Sequence, residues 1–226
     1  MAQRLRSPGQ FRRTGTARQF ERRAKRIIDI VIASILLLVL APLGVTIALA
    51  VLITSGRPVL FHQPRPGLHG ELFTLRKFRT MRPPVGGEQV WTTDEIRSTR
   101  LGRLLRRTSM DELPELVHVI TGRMSLVGPR PLLMEYLPGY SEKHSRRHEV
   151  KPGVTGLAQV SGRRSLTLGQ RLDLDIRYVD NWSLLLDFTI LARTLAVPFQ
   201  RGDIRGQSLE EVDDVQLLAP ATARAK

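Results

Sequence analysis

The chain has 226 residues, 42% apolar and 25% charged, enough for one buried core plus a terminal or membrane element, and it resembles neither a disordered polyelectrolyte nor a polytopic membrane protein. It contains no cysteine, which excludes disulfide scaffolds, thiolate zinc sites, iron–sulfur clusters and cysteine nucleophiles. The 35 Lys and Arg against 21 Asp and Glu leave a net charge of +14, carried mostly by arginine, whose planar fork suits the phosphate oxygens of nucleic acid, lipid headgroups or phosphorylated substrates.

Residues 1–22 are a basic segment with no core-forming pattern, read as disordered. Residues 23–56 contain the strongest feature of the chain, the run from Ile27 to Thr54, whose only charge is Asp29. It is about twice the length of a signal-peptide core and no small-x-small cleavage site follows, so it is expected to stay in the mature protein. Pro42 lies near its middle, where it removes one helical hydrogen bond and clashes with the preceding turn, predicting a break at Ala41-Pro42. Each arm would be roughly 18 Å long, too short for a hydrocarbon core of about 30 Å. Nine Lys and Arg precede the run within residues 1–29 and six follow within residues 55–85, so both flanks favour the cytoplasmic side. The expectation is a re-entrant helical hairpin dipping into one leaflet, against a kinked single pass. The cations ahead of the run, including Arg22, Arg23, Lys25 and Arg26, would meet anionic headgroups.

Residues 57–200 read as a cytoplasmic domain. Pro58–Gln63 and Glu71–Phe78, separated by Pro64, Pro66, Gly67 and Gly70, predict a β-hairpin. A loop over residues 82–90 precedes a basic helix from Thr93 to Arg107. Leu113, Leu116, Val117 and Ile120 then carry a short helix that starts near Asp111, with Pro114 in its first turn. Arg171 to Phe199 reads as an amphipathic helix, a break near Asn181-Trp182-Ser183, and a second apolar helix that packs on the core or lies in the interface. Residues 201–226 are a polar, acidic tail without assigned chemistry. The fold class is therefore membrane-associated and mainly α, with one small β-hairpin.

Asp111 and Glu112 are the carboxylates of most interest. Beside Arg106 and Arg107, either could ligate a hard divalent ion or act as a nucleophile toward phosphorus. The competing explanation is local, because Ser109 and Glu112 have capping-box spacing and acidic residues favour a first helical turn. Arg130, fixed between Pro129 and Pro131 after Gly128, is a guanidinium that can be aimed with little loss of entropy. Residues 152–163 hold three glycines together with Thr155, Gln159, Ser161 and Arg163, which could wrap a phosphate or sugar, yet they match neither nucleotide-binding glycine motif. His144 and His148 have metal-pair spacing but no supporting ligands nearby in sequence.

Taken in order, Lys25, Arg26 and Asp29, the Pro-broken apolar helix, PVLFHQPRPG, Lys77-Phe-Arg-Thr-Met81, RRTSMDELPEL, MSLVGPRP, PGVTGLAQVSGR and LDIRYVDNWSLLLDF resemble the bacterial sugar transferase family, the small monotopic phosphoglycosyl transferases. The resemblance runs from about Arg23 to Phe199. It implies transfer of a sugar 1-phosphate from a nucleoside diphosphate sugar, usually a UDP-sugar, to polyprenol phosphate, with release of UMP and help from Mg²⁺, at the cytoplasmic face of a bacterial membrane. It further implies that Asp111 is the nucleophile forming a covalent phosphosugar intermediate and that Glu112 supports the metal or the acceptor, so that both carboxylates are metal candidates. Arg79, Arg130, Arg163 and Asp175 are the candidates for phosphate or nucleotide-sugar contacts. Glu115 stands where relatives often carry Gln, and Val117-His118 where they often carry Trp-Asn. The resemblance also implies a minimal catalytic form without the N-terminal membrane domain of longer relatives. No nucleic-acid partner is expected, and a homodimer is compatible with the sequence without being demanded by any motif. The alternative is a membrane-tethered polybasic scaffold, which would make no use of adjacent carboxylates or a Pro-Arg-Pro loop.

Overall fold

The computed structural model describes residues 15–83, 97–162 and 166–196. Helix α1 spans Gly15–Ser55 and runs through Pro42 without interruption. The two expected arms on either side of Ala41-Pro42 are therefore parts of one helix. A single interior proline removes one donor and leaves the hydrogen bonds above and below it intact, and here Thr46 Oγ1 also donates to the Pro42 carbonyl at 2.9 Å. Ala33 is buried against Leu116, Val119 and Leu126, whereas Ile47 and Val51 are buried with Phe78 and Leu105. Both halves of α1 thus dock on the rest of the protein. Between them the apolar surface is open, with Leu38 77% and Val39 66% exposed.

The predicted hairpin is present as β1 (Leu60–Pro66) and β2 (Leu72–Phe78), antiparallel with Leu60 opposite Phe78 and Pro66 opposite Leu72. Pro64 and Pro66, expected in the turn, lie within β1. A two-stranded sheet leaves one side of each strand unpaired, so a residue without an N–H is tolerated there. On β2, Phe73 and Leu75 enter the core by the two-residue period of a strand.

The helix expected over residues 93–107 is divided. Residues 93–96 lie outside the described part, Ser98 forms an isolated bridge with Met81, and the Thr99 side chain accepts a hydrogen bond from Gly102 N, starting α2 (Arg100–Thr108). Gly102 sits against the Thr80 carbonyl, where a Cβ would fall 1.9 Å away. Ser109 then turns left-handed (φ 57°), Met110–Glu112 form a 3₁₀ turn, and α3 follows over Glu115–Ile120.

A second sheet not expected from sequence pairs β3 (Ser125–Val127) with β4 (Gly153–Thr155) in parallel. Three-residue strands are too short for periodicity to show. Between them lie 3₁₀ turns and the short α4 (Glu142–Ser145), and after them α5 (Leu157–Ser161). Helix α6 (Leu168–Asn181) opens on a capping box of Thr167 and Gln170, and α7 spans Leu184–Ala196, with the predicted break at Trp182-Ser183. Leu172 and Ile176 of α6 and Ile190 of α7 are buried, so both helices pack on the core.

Candidate active site

The turn from Met110 to Glu112 is bounded by α2 and α3, and β2 lies beside it. Phe73, Leu75 and Lys77 share one face of β2, so a lysine occupies a position in register with core side chains. There it donates to Glu112 Oε1 at 2.8 Å, and its Nζ lies 3.1 Å from Glu115 Oε1. Arg130 Nη2 reaches the same Glu112 oxygen at 2.6 Å. Glu112 is thereby fixed between two cations. Burial pushes its carboxyl up, but Arg130 and Lys77 outweigh burial and hold it well below the usual carboxylate range.

The capping-box explanation does not hold, since Ser109 makes no side-chain cap and the Glu112 carboxylate is taken by Lys77 and Arg130. Asp111 differs from its neighbour. It is 8% exposed and forms no ion pair among the described residues; burial and the adjacent Glu112 charge raise its pKa, with Lys77 and Arg130 acting in the opposite sense. A desolvated carboxylate without a cation of its own, one residue from a cation pair, is suited to nucleophilic attack on an electrophile those cations attract. Glu115, 2% exposed, is pushed up to about 7, by burial first and by Glu112, against Lys77.

Arg130 rides on a loop that cannot be held through its own prolines, because neither donates an N–H. The loop is held by its carbonyls instead. Gly153 N donates to Pro129 O at 2.9 Å, Arg147 Nη2 to Arg130 O at 2.6 Å, and Arg65 Nη1 to Pro131 O at 3.2 Å. Glycines in the 152–163 segment serve this contact: a Cβ on Gly153 would lie 2.1 Å from Gly128 N and one on Gly156 2.2 Å from Gly128 O.

Three predicted contacts are placed elsewhere or lie outside the described residues. Arg79 is buried and caps the end of α1, donating to the carbonyls of Ser55, of Gly56 (2.5 Å) and of Arg57 (3.1 Å). Asp175 is 3% exposed and accepts from Arg147 Nε at 3.0 Å and Nη2 at 2.7 Å, so its charge is already compensated inside the protein. Arg163 lies outside the described residues. Lys25 and Arg26, expected at headgroups, turn inward: Lys25 Nζ is 2.6 Å from Asp187 Oδ2, and Arg26 donates to the carbonyls of Val119 and Ile120, capping α3. His144 lies 3.3 Å from Asp173 while the His148 ring lies against Tyr140, so the two histidines have separate partners. Sequence reasoning missed Lys77 and Arg147 as site residues; a lysine in phase with Phe73 and Leu75 was the available signal for the first.

For a divalent cation, no group of three or more potential ligand side chains converges among the described residues. Mg²⁺ is commonly held by one or two carboxylates, with water and substrate phosphates completing the octahedron. Asp111, together with the Glu112 oxygen that neither Arg130 nor Lys77 holds, fits that arrangement.

The sequence pattern described as bacterial sugar transferase matches residues 20–201. The uncharacterized sugar transferase EpsL of Bacillus subtilis is 51% identical over 172 residues, covering 76% of this chain and 85% of EpsL. The UDP-glucose:undecaprenyl-phosphate glucose-1-phosphate transferase of Escherichia coli is 40% identical over 181 residues, again 76% of this chain but 39% of the longer protein. The exopolysaccharide production protein ExoY of Sinorhizobium fredii is 36% identical over 84% of this chain and 92% of its own length. With the match extending from α1 through α7 and including the Asp111-Glu112 turn, the chain belongs to the bacterial sugar transferase family.

Proposed function

We propose that this chain is a phosphoglycosyl transferase that moves a sugar 1-phosphate from a UDP-sugar to polyprenol phosphate at the cytoplasmic face of a bacterial membrane. The observation that carries the reading is Asp111: a buried carboxylate without an ion-pair partner, next to a Glu112 that gathers Lys77 and Arg130 at one point. An Asp111 oxygen attacks the sugar-bearing phosphorus, the bond to the bridging oxygen breaks, and UMP leaves with that electron pair. An oxygen of polyprenol phosphate then attacks the same phosphorus, and Asp111 departs as carboxylate, giving the polyprenyl diphosphate sugar. Arg130 and Lys77 neutralise the transferring group, and Glu112 keeps both cations in place. A bound Mg²⁺ would add charge neutralisation at the diphosphate and would be held by Asp111 and Glu112.

Helix α1 sets the depth of this site. A prenyl phosphate keeps its tail in the bilayer, so the nucleophile must stand at headgroup level. The open apolar surface between two docked halves of α1, with basic flanks at both ends, supports a segment that enters one leaflet and returns. The test is a UMP-release assay on detergent-solubilised protein with Mg²⁺, polyprenol phosphate and a panel of UDP-sugars. Release that needs sugar, lipid and metal, and disappears in Asp111→Asn, is expected; full activity in that variant would overturn the assignment of the nucleophile.

A further inference from the structure

We infer that Arg147, held by Asp175, is a positioning residue that sets the place of Arg130 through the Arg130 main chain; the inference rests on the phosphoglycosyl transfer proposed above. Arg147 lies on a 3₁₀ turn after α4, far along the chain from the carboxylate pair, and is 2% exposed. Each of its three nitrogens donates a hydrogen bond. Nε and Nη2 grip one oxygen of Asp175, Nη1 donates to the Tyr140 hydroxyl at 3.3 Å, the guanidinium stands 5.7 Å from the Tyr140 ring centroid, and Nη2 also reaches Arg130 O. Asp175 comes from α6, so Arg147 ties the site loop to a helix packed in the core.

The proline pattern makes this tie consequential. With prolines on both sides of Arg130, carbonyl acceptors are the means of holding the loop, and the central one belongs to Arg130 itself. The flanking carbonyls are gripped by Gly153 N and Arg65, which fixes the ends of the tripeptide; Arg147 fixes its middle, from which the guanidinium departs toward Glu112. A shift of about 1 Å in a group that stabilises transferring charge can lower turnover by on the order of a hundredfold. A lysine could not make the same set of contacts, because only a planar fork can serve Asp175, Tyr140 and a carbonyl together.

The experiment compares Arg147→Lys, which keeps the charge against Asp175, with the paired replacement Arg147→Met/Asp175→Leu, which removes both charges and so leaves neither buried alone. Each is made in the wild-type and in an Arg130→Lys background, and thermal melting, donor KM and kcat for UMP release are measured. The expected result is folded protein in both cases, a kcat lowered at least tenfold with donor KM within threefold of wild type, and a further loss of less than twofold when Arg130 is already replaced. Equal losses in both backgrounds, or an undiminished kcat in either folded variant, would overturn the positioning role while leaving the reaction standing. A wild-type protein that releases no UMP with any donor would overturn the reaction and the positioning role together.

Discussion

Asp111 and Glu112 are adjacent in sequence and opposite in electrostatic character, because the fold brings two cations to one of them and none to the other. Glu112 is an anion on which Lys77 and Arg130 converge, whereas Asp111 is desolvated and repelled by Glu112. As the proposed nucleophile, Asp111 must be ionised to attack, and its pKa is raised above that of an ordinary aspartate, so the acid limb of kcat/KM should fall at a higher pH than a solvated aspartate would give, which a pH–rate profile will show. Asp111→Asn should lower turnover by at least about a thousandfold while raising the melting temperature, since it removes a buried charge that the fold tolerates at a cost. Glu115 makes a separate prediction. Its carboxyl is raised from 4.5 to about 7 in the folded protein, so the native state binds the proton more tightly than the unfolded chain does. The stability this confers is complete below about pH 4.5 and is lost as pH rises through 7. Glu115→Gln should therefore match wild type near pH 5 and exceed it by on the order of 1–3 kcal/mol at pH 8, measured by urea unfolding at the two pH values.

Two short strands position the loop that carries Arg130. The pairing of β3 with β4 brings Gly128 and Gly153 into backbone contact and lets Gly153 N hold the carbonyl of Pro129. Gly153→Ala places a Cβ inside that contact and should destabilise the protein by roughly 1–3 kcal/mol, with a fall in kcat because the displaced loop carries Arg130. Calorimetry and the UMP-release assay on the same sample would check the two effects together. Helix α1 depends on a comparable local device at its end, where Arg79 gathers the carbonyls of Ser55, Gly56 and Arg57 that the terminating helix leaves unpaired.

At the scale of the whole molecule, the long apolar α1 is packed into the body that carries the candidate site. Lys25 meets Asp187, which also accepts from Tyr178 and Trp182, and Asp29 accepts from Ser125 Oγ at 2.7 Å and from Leu126 N at 3.2 Å. These bonds join α1 to the strand that leads into the Arg130 loop, so the helix and the site are positioned together. A re-entrant α1 places Arg22 and Arg57 on one side of the membrane. The chain has no cysteine, so Arg22→Cys and Arg57→Cys each give a unique label site. Both should react with a membrane-impermeant maleimide only when the cytoplasmic face is accessible; labelling of one from each side would establish a single pass.

The apolar run, the hairpin and the helix pair around Trp182 were legible in the sequence, and Asp111, Glu112 and Arg130 stood out in it as candidates, because each rests on a local pattern: hydropathy, two-residue alternation, helical periodicity, or a motif several residues long. What Arg79, Arg147, Lys25 and Asp175 do was not legible, since all four are charged side chains that each have a partner at least 24 positions away along the chain. A sequence shows that a guanidinium is present; only the tertiary structure decides whether it faces a substrate or a carbonyl of its own chain. The uninterrupted course of α1 through Pro42 is of the same kind. Proline removes one hydrogen bond in either case, and whether the helix parts there depends on what its two halves pack against.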